Sequence, residues 1–321
     1  MPDASTYGTE LIDLRRISAA ELSPLLLEET VEWRQEFAWD FGQSADLIRR
    51  FTDLKALDGC VLLERGELVG YGYSVVEDQK GLIGDVYVRP GWRNCGQELR
   101  IFRSLLDGLD ANRLIRRVEG QLMNLDVAIG VALGRERFLK LYERTLMIFD
   151  PAISPKLLKR PTKRNFRVLP WAESYVDAAA GIISLAYRGH VDSEINDQYR
   201  SLYGARKFLH NMVEFPGCGI FHRAASFVAV DIETGWLAGI AISSFVAADV
   251  GHVAQLCVAP AMQGTGLGYE LLRRSMEALM ADGAKRISLT VTVNNDAALG
   301  LYRRIDFQEI RRFNGFVWES A

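Results

Sequence analysis

Toward the C-terminal end of the chain the spacing of apolar positions changes period, and the change marks a strand, a turn and a helix. Residues 253–258 (Val-Ala-Gln-Leu-Cys-Val) form a short, largely apolar run of strand length. Further on, residues 269–280 carry Leu272, Met276 and Leu279 at helical spacing and stop at Gly283. The connection between them, Ala259-Pro260-Ala261-Met262-Gln263-Gly264-Thr265-Gly266-Leu267-Gly268, is rich in glycine and ends at the helix N-terminus. There, unpaired amide N–H groups and the positive end of the helix dipole attract an anion, and glycines allow the backbone to come close to it. Downstream, residues 286–293 alternate apolar and polar positions, as a half-buried strand does. Asn294-Asn295-Asp296 then offers side-chain caps for a short helix that ends in Leu301-Tyr302-Arg303-Arg304-Ile305-Asp306-Phe307.

The spacing of the glycines decides between anionic ligands. A dinucleotide fingerprint counted from Gly264 needs a third small residue where Tyr269 stands, and a phosphate loop of the Walker type needs Gly-Lys-Ser/Thr, which is absent. The remaining pattern, Gln263-x-x-Gly266-x-Gly268 after Val258-x-Pro260, resembles the acyl-coenzyme A loop of the GNAT acyltransferases. The segment Asn295, Ala298, Leu301, Tyr302 and Phe307 is similar to a second signature of that family, in the same order along the chain. Asp306 departs from it, because the family usually has glycine there in a left-handed turn. Aspartate tolerates that conformation better than most residues, so a small local cost is expected and no change of fold.

The same spacing recurs upstream. Residues 85–98 align without a gap on residues 255–268: Pro90 and Pro260, Arg93 and Gln263, and Gly96 and Gly266 are each 170 positions apart. Residues 67–72 likewise parallel 235–240, each a strand beginning after a tight turn. The chain is therefore an internal duplication. Pro151, Pro155, Pro161 and Pro170, with Lys156, Lys159, Arg160, Lys163 and Arg164 among them, mark a polar linker. The expected domains are 1–150, a linker over 151–165, and 166–321. The copies are unequal. Asn94 and Glu98 replace Gly264 and Gly268, and a carboxylate at 98 would repel a pyrophosphate. At an offset of 169 the second signature meets Asp126, Leu133 and Phe138 where the other copy has Asn295, Tyr302 and Phe307, so the first copy lacks the phenol.

Composition narrows the classes. The 321 residues, 49% of them hydrophobic, suffice for two cores of ordinary size. A net charge of −3 gives no basic face for nucleic acid. No 18-residue apolar run and no signal-peptide pattern occur, so a soluble, cytoplasmic protein is expected, a monomer or homodimer. The four cysteines, Cys60, Cys95, Cys218 and Cys257, have no CxxC spacing and read as free thiols; Cys218 with His222 is too little for a metal site, and no metal is expected.

The resemblance implies a two-domain α/β (α+β) architecture, each domain a mixed, largely antiparallel sheet with a splayed central pair of strands flanked by helices, as in tandem members such as mycothiol synthase. It implies acetyl-coenzyme A as co-substrate and direct attack by an amine, of a small molecule or peptide, on the thioester. The residues implied to bind coenzyme A are Leu256, Cys257 and Val258 on the strand, Gln263, Gly264, Thr265, Gly266, Leu267 and Gly268 in the loop, and Asn295, Ala298 and Arg303 on the last helix. Tyr302 would protonate the departing thiolate. Many family members place a carboxylate base on the strand before the loop; here Gln255 stands there, and His252 is the nearest titratable group on the strand, with a water chain as the other route. Acceptor recognition is implied for residues 187–199, rich in acids and aromatics. An acyl-coenzyme A sensor without turnover would keep the loop but need no Tyr302, and a nucleotide-binding protein is disfavoured by the failed spacings.

Overall fold

The computed structural model describes residues 8–93, 96–137, 139–154, 157–215 and 217–319, without the side chains of 133 and 135–137. Asn94, Cys95, Phe138, Pro155, Lys156 and the side chain of Leu133 thus lie outside the described residues. In chain order the elements are β1 (Thr9–Asp13), α1 (Ala19–Phe37), α2 (Gly42–Asp53), β2 (Asp58–Glu64), β3 (Glu67–Glu77), β4 (Lys80–Val88), α3 (Gln97–Asp110), β5 (Arg117–Gln121), α4 (Val127–Arg137) and β6 (Lys140–Phe149). They continue with β7 (Phe166–Pro170), α5 (Val176–Ala186), α6 (Val191–Ile195), α7 (Leu202–Glu214), β8 (Ile220–Phe221), β9 (Phe227–Asp231), β10 (Leu237–Ala247) and β11 (Val250–Val258). The last are α8 (Leu267–Ala281), β12 (Arg286–Thr292), α9 (Asp296–Arg303) and β13 (Gln308–Glu319).

Two compact units result, one of residues 8–36, 41–144 and 312–319, the other of 37–40 and 145–311 among those described. The first has the strand order β1-β2-β3-β4-β5-β13, antiparallel except for the parallel pair β4–β5. Its sheet buries one face against α3, through Val69, Val86, Ile101, Phe102 and Leu105, and the other against α1 and α2, through Leu22, Leu25, Ile48 and Val61. The second has the order β6-β12-β11-β10-β9-β7, with β8 beside β10; β11–β12 is a parallel pair, and β10–β11, β8–β10, β9–β10 and β7–β9 are antiparallel. The helical stripe read from sequence, Leu272, Met276 and Leu279, packs on Ile287 and Leu289 of β12. Ala179, Ile183 and Leu209 cover the opposite face against Ile240 and Ile242.

The two compact units divide the chain differently from the expected 1–150, 151–165 and 166–321: residues 37–40 fall with the second unit. Residues 145–149 of β6 belong with the second unit, and residues 312–319 return to the first. The register explains the return: Gly315–Glu319 pair antiparallel with Gln121–Arg117, and the Phe316 ring meets Phe102 edge-on at 4.7 Å in the first core. Hydrogen-bond pairing and burial assign a strand to its sheet, whatever its place in the chain.

The duplication is visible in backbone detail. Registers of both β3–β4 and β10–β11 shift by one residue, leaving Gly84 and Ala254 as bulges 170 positions apart. Single 3-10 turns follow at Pro90–Trp92 and Pro260–Met262, each preceded by a residue at φ −53°, ψ 139°. Gly96 and Gly266 then both adopt left-handed conformations as N-caps of α3 and α8.

Between the copies the strand interior has diverged. Asp85 stands at the position matching Gln255 and is buried beside Glu29 of α1, also fully buried. Tyr71 Oη donates to Glu29 Oε2 at 2.6 Å, Trp33 Nε1 and Asn124 Nδ2 donate to Oε1 at 3.0 and 2.8 Å, and the Val86 amide donates to Asp85 Oδ1 at 2.8 Å. Burial raises both carboxyls, Glu29 well above the carboxylate range and Asp85 to about 6. A carboxyl raised in the folded state stabilises the fold fully below its unfolded value of about 4, and that contribution is lost as pH rises through 6. The expected result is that the stability difference between the wild type and Asp85→Asn, measured by urea unfolding, shrinks as pH rises from 4 to 7. A difference independent of pH would show that the pair does not titrate in this window.

Candidate active site

The second unit opens a cleft where its parallel strands part. β11 pairs with β12 only through Val250–His252 and Arg286–Ser288, so the outer half of β11 leaves its partner beyond the bulge at Ala254. A cavity of about 330 Å³ fills the gap. Leu256, Cys257 and Val258 line it from the strand, Gln263, Gly264 and Gly268 from the turn, and Asn295, Ala298 and Tyr302 from α9. Met262, Ala297, Leu301 and, from the end of α5, Ala186, Tyr187 and His190 complete the walls.

The turn has the electrostatics of an anion site. Gly264 at φ +70° and Gly266 at φ +91° hold conformations that disfavour side chains, and no described side chain caps α8. No described side chain accepts from its first-turn amides, whereas Asn295 Oδ1 caps α9 by accepting from Ala298 N at 3.2 Å. Asp306, at φ 74°, takes the left-handed turn expected of it.

Tyr302 has a buried ring in the core with Ile305 and Phe307, and it lines the cleft. Burial, with the nearby Asp192 charge, raises its phenol above the ordinary tyrosine value, so the hydroxyl stays protonated at neutral pH. Thr292 Oγ1 donates to Asp192, whose carboxylate lies 3.6 Å from His190 Nδ1; that nitrogen accepts from the Asp192 amide at 3.1 Å. Gln255 Nε2 donates to Tyr187 Oη at 2.8 Å, and the Tyr187 ring stacks on Tyr199 with centroids 4.4 Å apart. Burial pushes the Cys257 thiol up to about 12, leaving essentially no thiolate near neutrality.

Other expected site residues stand apart from these walls. His252 is buried where β11 and β12 are still paired; its Nδ1 lies 2.9 Å from Ser288 Oγ and its ring meets Trp39 edge-on. Arg303 donates to Glu309 at 2.6 Å on the outer side of α9. Thr265 donates to the Met262 carbonyl at 2.6 Å, shaping the turn, and Leu267 is core. Tyr187 and His190, from the segment implied to recognise the acceptor, also line the cleft; nothing in the sequence beyond that segment singles them out. Ser244 Oγ donates to the Cys218 carbonyl, and His222 Nε2 sits 2.6 Å from Asp282 Oδ2.

Arg93, matching Gln263, donates through Nε to the Val88 carbonyl at 2.7 Å and through Nη2 to Glu32 at 2.6 Å, with its guanidinium 5.3 Å from the Tyr87 ring centroid. Glu98 is buried, and its Oε2 has no hydrogen-bond partner among the described residues.

Residues 191–307 match the sequence model of the Acetyltransferase (GNAT) family. The mycothiol acetyltransferase of Thermobifida fusca (strain YX) is 25% identical over 272 residues, which span 79% of this chain and 77% of that protein. Among solved structures, a GCN5-related N-acetyltransferase from Sphaerobacter thermophilus superposes with a TM-score of 0.66 at 14% identity, covering 97% of this chain and 95% of that one. A tandem GNAT protein from the clavulanic acid biosynthesis pathway gives a TM-score of 0.57 at 14% identity, covering 98% and 99%.

Proposed function

From the premise that this chain carries a GNAT acetyltransferase domain, we propose that it moves an acetyl group from coenzyme A to a primary amine at one productive site, in the second unit. The observation that carries the reading is a single cleft shared by the parted edge of β11, the uncapped glycine turn of α8 and the Tyr302 hydroxyl.

In this reading the pyrophosphate rests on the amides of residues 263–268 and the pantetheine lies along the free edge of β11. The amine nitrogen attacks the thioester carbonyl carbon, whose oxygen a strand amide N–H polarises as charge develops. The C–N bond forms, the C–S bond breaks, and the thiolate takes the Tyr302 proton. The amine's own proton leaves through the Asp192 and His190 pair at the acceptor end of the cleft. That pair takes the role first expected of His252, because His190 lines the cleft and His252 is buried against Ser288. The buried Cys257 thiol donates to the Ile182 carbonyl at 3.9 Å and burial pushes its pKa up, which supports direct transfer over an acyl relay.

The test is calorimetric titration of the intact chain with acetyl-coenzyme A, followed by thiol release with a panel of amines. One site per chain is expected, with turnover unchanged by Glu98→Gln. Two sites of similar affinity, or acetylation lost at Glu98→Gln, would move the chemistry to the first unit. Binding without turnover on any amine would favour an acyl-coenzyme A sensor.

A further inference from the structure

Residues 157–165 appear in the sequence as a solvated linker, yet they run across the glycine turn as a fixed strap. The Lys163 amide donates to the Thr265 carbonyl at 2.8 Å. The Pro161 carbonyl and Thr162 lie 3.6–3.8 Å from where a Cβ on Gly266 would stand. Tyr269 of α8 donates its hydroxyl to the Leu158 carbonyl, and the Arg160 guanidinium lies 4.7 Å from the centroid of the same ring. At the far end Arg164 Nη2 anchors the strap to Asp231 and Glu233 at 2.9 and 2.8 Å.

Three cations on this strap, Lys159, Arg160 and Lys163, are exposed, and none has a carboxylate partner among the described residues. Like charges held close together repel, whereas Arg273 of α8 is paired with Glu270 and Glu277. Here they are gathered beside a turn that offers an anion only neutral dipoles. We infer that Lys159, Arg160 and Lys163 bind the ribose 3′-phosphate of coenzyme A, an inference that rests on the proposed acetyl-coenzyme A site. A phosphomonoester carries up to two charges, more than the diester-like pyrophosphate oxygens on the loop amides share locally, and it lies at the outer end of the carrier, where long basic side chains reach it through solvent.

The experiment compares the dissociation constants of coenzyme A and 3′-dephospho-coenzyme A for the wild type and for the triple variant Lys159→Gln, Arg160→Gln, Lys163→Gln. The wild type should prefer coenzyme A by about tenfold, as three partly screened ion pairs would give. The variant should lose that preference, bind dephospho-coenzyme A as the wild type does, and show a weaker dependence on salt. Equal wild-type affinity for both carriers would overturn the inference alone. So would an equal loss of both in the variant, which would make the strap a support for the turn. Wild-type protein that binds neither carrier would overturn the acetyl-coenzyme A reading with it.

Discussion

Tyr302→Phe is expected to lower kcat about a hundredfold while leaving the affinity for acetyl-coenzyme A nearly unchanged, because a positioned acid acts on the transition state and contributes on that order. The substitution removes one oxygen and keeps the ring that packs with Ile305 and Phe307, so the fold should survive. The hydroxyl itself makes no hydrogen bond to another described residue, and it is not among the buried polar atoms left unsatisfied, which leaves it available at the cleft. Burial and the Asp192 charge hold the phenol above its ordinary value, so the acid is fully protonated from pH 7 to 9 and its loss cannot be mimicked by a modest rise in pH. Steady-state rates at saturating acetyl-coenzyme A, with a pre-steady-state check that chemistry limits turnover, give the answer. An unchanged chemical rate would remove Tyr302 from the proton transfer.

Gly266→Val should act on binding, with a loss of acetyl-coenzyme A affinity of about a hundredfold. The space around Gly266 is not the obstacle, because an added Cβ would sit in ordinary contact with Pro161 and Thr162. The backbone is the obstacle: φ +91° is left-handed, and a β-branched residue held there is strained by about 1–3 kcal/mol. Relief of that strain rotates the peptide at the start of α8 and disperses the amides that would meet the pyrophosphate. Gly266→Ala should show a smaller loss in the same direction. Calorimetry on variants whose circular dichroism matches the wild type is the check, and wild-type affinity in a folded Gly266→Val protein would take the turn out of the cofactor site.

What could be read from the chain alone was whatever depends on neighbours a few residues away. The strand at 253–258, the glycine turn, the stripe of Leu272, Met276 and Leu279, the cap at Asn295 and the left-handed Asp306 all follow from hydrogen-bond period, side-chain reach and allowed φ, which are local properties. The duplication was legible for the same reason, since two copies of one local pattern keep one spacing, down to the bulges at Gly84 and Ala254. Tertiary structure alone decided the rest. Arg93 finds Glu32, Lys163 finds Thr265, and Gly315–Glu319 find Gln121–Arg117 across long stretches of chain. His190, in the segment implied to recognise the acceptor, joins the cleft wall, while His252, on the expected strand, is buried where that strand is still paired. Such pairings carry no sequence period, because they are fixed by which surfaces the packed sheets and helices leave adjacent.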